Sequence, residues 1–256
     1  VTDTVLLGWY GVHELAAVVL GSSMFYVIFV FGSGFAQAVM PMVAQSMGRG
    51  DEGQVRRDTR MGLWLSMGFG LLTYPLFWWS EPLLLGLGQE ADVARLGQDF
   101  LRLAGLGMIP ALMVMAIKGY LAALERTQVV LWVTLAAVLV NAALGYALIF
   151  GHWGAPEMGV RGAGLASLTV QILTAGLLLA YAGWLPALRR FHLLQRFWRM
   201  DRGALASVFR MGWPIGVTAL AESGLFSATA IMMGWIGAIP LAAHGIALEV
   251  TSLTFM

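Results

Sequence analysis

The run from Gly212 to Gly234, GWPIGVTALAESGLFSATAIMMG, is long enough to cross a bilayer and carries one carboxylate, Glu222, near its middle. A spanning helix needs about 20 mostly apolar residues. An ionisable group inside such a span is costly to hold there, which marks it as a candidate functional group with the rest of the chain as its housing. Thr218, Glu222 and Thr229 fall at i, i+4 and i+11, with Phe226 between the last two. One helical face carries them, and it is expected to look toward protein or water and away from lipid.

Comparable runs recur along the chain. Apolar stretches between short charged loops predict a partial first span ending near Gly11, a second from about Leu15 to Met47 interrupted by Gly32, Gly34 and Pro41, and a third over about Arg60–Trp79. A fourth covers about Phe100–Leu124 with Pro110 inside it, followed by Val129–Phe150, Gly162–Trp184, Ala204–Ile236 and an eighth starting near Leu241. Hydrophobic residues make up 59% of the chain and charged ones 11%, against about 25% charged in a soluble domain. The expected fold is an all-α polytopic membrane protein with about eight spans in this chain. Because it opens and closes inside apolar runs and has no initiator Met, the chain is expected to be a fragment of a longer protein. A net charge of +1 gives no footing for nucleic acid, and the absence of cysteine removes disulfides and thiolate metal sites.

Loop charge sets the orientation. Arg49, Arg56, Arg57 and Arg60 fall between the second and third spans, Lys118 and Arg126 by the fourth-to-fifth turn, and Arg189, Arg190, Arg196, Arg199, Arg202 and Arg210 around the sixth-to-seventh connection. Twelve of the fifteen basic residues thus lie on one side, which the positive-inside rule makes cytoplasmic, together with the amino terminus. The expected location is the cell inner membrane. Pro186 to Arg202, PALRRFHLLQRFWRMDR, reads either as an amphipathic segment lying in that interface or as a plain solvated basic loop.

An internal repeat supports a larger plan. Gly8, Trp9, Gly11, Leu15, Ala16 and Ala17 recur as Gly234, Trp235, Gly237, Leu241, Ala242 and Ala243, six identities at a constant offset of 226 residues. The offset encloses an even number of spans, so the repeats run parallel. The intact protein is then expected to have about twelve helices in two parallel six-helix lobes. Residues 1–185 would form the amino-terminal lobe, 186–203 a linker, and 204–256 the start of the second lobe.

Several residue groups carry a family resemblance. They are Asp3-Thr4-Val5 with Gly8 and Gly11; Pro41, Val43, Ala44 and Gln45 with Gly48 and Gly50; and Asn141 with the glycine series Gly151, Gly154, Gly159, Gly162 and Gly164 around Pro156. Gly212-Trp213-Pro214 with Glu222, and Ala242-Ala243-His244 with Phe255-Met256, complete the set. Together they make the sequence similar to the multidrug and toxic compound extrusion (MATE) transporters, most of all their NorM-type branch. The resemblance implies a secondary antiporter, active as a monomer among membrane lipids, that exports small organic cations against a Na⁺ or H⁺ gradient. It implies no cofactor beyond the coupling ion.

The resemblance places Glu222 at the coupling-ion glutamate, where Na⁺ or a proton would bind; the bland alternative is a carboxyl satisfied by threonine or backbone partners. Asp3 matches a first-helix aspartate of the amino-terminal lobe, or plays a structural role. Asn141 shares a face with Thr134 and Gly145 and matches an asparagine able to hydrogen-bond Asp3, or makes an interhelical hydrogen bond only. Gly145 departs from relatives that carry a second aspartate there. Glu249 in the eighth span either shares cation binding with Glu222 or is paired locally. Thr218, Phe226, Thr229 and Thr134 are the expected cavity lining. Lys118 is expected to snorkel to the interface.

Other classes leave different marks. A lipid-linked precursor flippase of the same superfamily would carry a more basic cavity. A membrane enzyme would need convergent catalytic groups, and the chain has no HExxH pair and no GxSxG elbow. A channel would need a filter, and none is evident.

Overall fold

The computed structural model describes residues 12–86, 91–151, 156–185, 191, 193 and 197–236. Among them are nine α-helices and no strand. In chain order these are α1 (Val12–Gln37), α2 (Val39–Gly48), α3 (Glu52–Trp78), α4 (Ser80–Gly86), α5 (Ala91–Ala104), α6 (Met108–Ala123), α7 (Thr127–Phe150), α8 (Gly159–Trp184) and α9 (Arg202–Ile236). The predicted first and eighth spans, Asp3, Glu249 and most of the internal repeat lie outside the described residues. Five stretches are long and apolar enough to cross a membrane: Glu14–Gly48, Ala91–Ala123, Thr127–Phe150, Gly159–Trp184 and Arg202–Leu225.

The interruptions follow proline chemistry. Proline has no N–H to donate to the carbonyl four residues back, and its ring crowds that carbonyl. Pro41 therefore frees the Gln37 carbonyl, and the chain breaks between α1 and α2 at Ala38. Gly32 and Gly34, expected to interrupt this span, stay inside α1. Pro110 acts likewise on Leu106, and a 3₁₀ turn at Gly105–Gly107 joins α5 to α6.

Two boundaries differ from the hydropathy reading. α3 begins at Glu52 and not near Arg60, because Asp51 caps it by accepting the Gln54 N–H at 2.9 Å. α3 is not among the five apolar spans; its glycines, Ser66, Tyr74 and Pro75 lower its hydropathy. The fourth span extends back to Ala91, since α5 is amphipathic. Its Val93, Ala94, Gly97, Leu101 and Ala104 are buried on one face while Arg95 and Asp99 face out or pair. Gly151, in the left-handed conformation at φ 70°, closes α7, and a Cβ there would sit 3.0 Å from Glu157.

The described residues divide into two units at Gly216 and Val217. In the first, α6 is central, packing against α1, α2, α3 and α8, and α7 lies outside against α8. Tyr120, Ile117 and Leu121 of α6 are fully buried. Phe191 and Leu193 of the connection before α9 join that same core, and Phe197 stacks on Trp64 with ring centroids 5.8 Å apart. These three described apolar residues of the connection are thus packed on the bundle.

The loop charges sort as expected. Arg56, Arg57 and Arg60 at the start of α3 line one cleft with Arg199 and Arg202. At the opposite end of α3, Arg102 donates to the Trp78 carbonyl at 3.3 Å and lies over its ring, and Arg161 pairs with Asp99 at 3.1 Å.

α2 and α3 are pinned by a buried acid ahead of the apolar part of α3. Asp58 is 2% exposed and accepts from Ser46 at 3.0 Å and Gln54 at 2.6 Å. Burial raises its carboxyl pKa above the usual 3.8, against the opposing pull of those hydrogen bonds and of Arg57. A raised acid pKa contributes stability below the unfolded value and loses it as pH rises through the folded one. The full-length protein should therefore lose stability relative to Asp58→Asn as pH climbs from about 4 to 7. Melting temperatures of the two proteins across that range check this, and a relative gain with rising pH would contradict it.

Candidate functional site

A cavity of about 320 Å³ opens between α6, α7 and α8. α7 presents Thr134 and Asn141 to it, two turns apart, and α8 adds Ser167, Gln171 and Thr174. The other face of α7 is left bare, with Leu131, Trp132, Leu135 and Leu139 exposed where lipid would lie. The facing of α7 follows from that contrast: its polar residues share one stripe and its large apolar ones another. Thr174 donates its hydroxyl proton to the Val170 carbonyl at 2.7 Å, so its oxygen is left to accept. A smaller cavity of about 160 Å³, bounded by Ser22, Phe25 and Phe100, shares Ser167 and Gln171 as a common wall. Ser167 therefore lines both polar spaces.

Lys118 of α6 lines the larger cavity too, as the one charged residue among those described there. Its expected place was the interface. The structure corrects that: half-buried, it turns into the space framed by Asn141 and Thr134. Its position near a helix end gave no hint of this, because direction around the helix is set by which neighbours cover it.

Thr218, Glu222 and Thr229 all stand on α9, beyond Gly216 and so in the second unit. Thr218 and Glu222 are exposed, and Glu222 has no hydrogen bond or ion pair among the described residues. Thr229 spends its proton on the Leu225 carbonyl at 2.8 Å. The side chain of Phe226, with Asp3 and Glu249, lies outside the described residues. Glu222 and Thr218 offer carboxylate and hydroxyl oxygens one turn apart, the hard donors that suit an alkali or hydrogen-bonded cation. No cluster of three or more acids, histidines or cysteines occurs among the described residues.

Apolar helices broken at prolines, a polar cavity within the bundle and an acid on a membrane-length helix define a polytopic membrane protein built like a carrier. The MatE family model matches residues 1–147, more than half of the chain, and the chain belongs to that family of multidrug and toxic compound extrusion transporters. It is 49% identical over 255 residues to a probable multidrug resistance protein NorM of Rhizobium meliloti, which covers all of this chain and 55% of the relative. The chain thus spans about half the length of the curated relatives it matches. Its fold is that of a multidrug resistance MATE family transporter of the MOP superfamily solved facing inward, with TM-score 0.77, 21% identity and cover of 98% of this chain and 57% of that one. The outward-facing conformation of such a transporter gives TM-score 0.78, 21% identity, and cover of 98% and 55%.

Proposed function

We propose that the full-length protein is a secondary active antiporter of the inner membrane, amino terminus cytoplasmic, that exports organic cations in exchange for Na⁺ or H⁺. The observation that carries this reading is Glu222, a carboxylate on a membrane-length helix with no hydrogen bond or ion pair among the described residues. Such a group can exchange one cation for another, since an unpaired charge in an apolar slab is strongly favoured to hold something positive. The name of the Rhizobium meliloti relative supports drug export. The inward- and outward-facing relatives of the same fold support alternating access. On this reading residues 1–185 form one lobe, 186–203 the linker and 204–256 the start of the other. The protein works as a monomer, and Asp3, Asn141 and Glu249 assist cation binding.

Lys118 in the cavity of the first unit favours a second reading, a flippase of the same superfamily for an anionic lipid-linked precursor. Everted membrane vesicles holding the full-length protein separate the two. Efflux of a fluorescent organic cation driven by an imposed Na⁺ or H⁺ gradient supports the antiporter, and the effective gradient names the ion. If neither gradient moves the cation, the drug-export reading fails. Lys118→Met should leave an antiporter active to within about threefold, whereas a phosphate-binding lysine would be worth tenfold or more.

A further inference from the structure

At the arginine-rich end of the bundle a cleft of about 710 Å³ lies between the first turns of α3 and the residues leading into α9. Arg56, Arg57 and Arg60 form one wall and Arg199 and Arg202 the other, with Asp201 between them. Arg60 feels the charges of Arg56, Arg199 and Arg57 together, opposed by that of Asp201. Within the lining of the cleft that repulsion is answered by a single acid, Asp201, against five arginines. Asp201 directs Oδ1 to the Gly203 and Ala204 N–H groups at 3.0 and 3.2 Å, capping α9, and its Oδ2 reaches only to 4.0 Å from Arg57. The next acid on α3, Asp58, is turned to Ser46 and Gln54. The Arg57 Nε is buried with no hydrogen-bond partner among the described residues.

The walls are held together. Trp64 donates its indole N–H to the Phe197 carbonyl at 2.9 Å, and the Asp201 N–H meets the Met61 sulfur at 3.4 Å. Trp198 and Met200, beside the cleft, are 81% and 52% exposed, as side chains dipping into the headgroup layer would be.

We infer that this cleft is a binding site for the phosphate of an anionic membrane phospholipid, in the leaflet on the arginine-rich side. Planar guanidinium groups hold phosphate oxygens in pairs, and a basic pocket at the inner ends of spanning helices is the chemistry that anionic headgroups take. The bound lipid would tie the start of α3 to the start of α9, cancelling the repulsion between their arginines.

The test uses the purified full-length protein, with native mass spectrometry following titration with dioleoylphosphatidylglycerol, dioleoylphosphatidylcholine or inorganic phosphate. It is independent of transport, so it stands whether or not the antiporter reading does. Wild type should bind the phosphatidylglycerol at least tenfold more tightly than the phosphatidylcholine. Substituting Arg56, Arg57 and Arg60 together by Gln should weaken phosphatidylglycerol roughly a hundredfold, as three basic contacts to an anionic headgroup would. The exposed pair Arg199→Gln with Arg202→Gln should weaken it about tenfold, and Arg95→Gln at the other end should not. Equal binding of both lipids by wild type, or an unchanged preference in the exposed pair, would overturn the inference. So would inorganic phosphate binding in the cleft without any lipid preference, which would assign it to a soluble phosphate.

Discussion

Glu222→Gln in the full-length protein is expected to cut gradient-driven cation efflux from everted vesicles by roughly two orders of magnitude, the scale of losing a positioned proton-exchanging group. Gln keeps the volume and one carbonyl oxygen but cannot carry charge or take up a proton. If a drug cation and a coupling cation are bound in turn by the same carboxylate, the neutral amide holds neither in competition, and the gradient no longer drives the cycle. Downhill leakage of drug could persist, because the cavity walls are unchanged. The amount of protein in the membrane should stay near wild type, since Glu222 is exposed in its unit and hydrogen-bonds nothing among the described residues. Full coupled efflux by the mutant would leave the transporter intact as an idea but remove Glu222 from its coupling site.

Gly34→Ala should be the most damaging small substitution in the first unit. A Cβ on Gly34 would meet the backbone of Gly216 at Cα, 2.5 Å away, and at its amide nitrogen, and the Gly212 carbonyl oxygen at 2.5 Å. Gly212 and Gly216 approach α1 in return, with Cβ positions 2.7 Å from Phe35 Cα and 2.5 Å from the Phe31 carbonyl. The two helices cross backbone against backbone, as a small-xxx-small face permits. Backbone cannot swing aside as a side chain can, so one methyl forces the helices apart. A loss of about 3 kcal/mol is expected, near 10 °C in melting temperature. Gly68→Ala is the matched comparison, because nothing lies within 4 Å of its Cβ position. It should be neutral or stabilising by up to about 1 kcal/mol through helix propensity alone. Thermal melts of the three purified proteins decide it, and equal melting of Gly34→Ala and wild type would refute the close crossing.

The all-helical, membrane-spanning character, the rough bounds of most of the described spans, and the ends that gather arginine are legible in the sequence because bilayer thickness and loop charge act on each segment separately. So was the common face of Thr134 and Asn141, which helical periodicity alone dictates. Glu222 stood out for the same reason, as the lone charge in a long apolar run. The inward direction of Lys118, the cleft made by two arginine groups over a hundred residues apart, and the contact of Gly34 with Gly212 and Gly216 were decided by tertiary structure. Hydropathy is blind to them. Lipid tails and a packed helical core are equally apolar, so a sequence of apolar residues states that a helix is buried in the membrane without saying which side meets protein. That side is chosen where small residues let backbones approach and where polar groups find one another. Both conditions involve partners far apart in the chain, which only the folded bundle brings together.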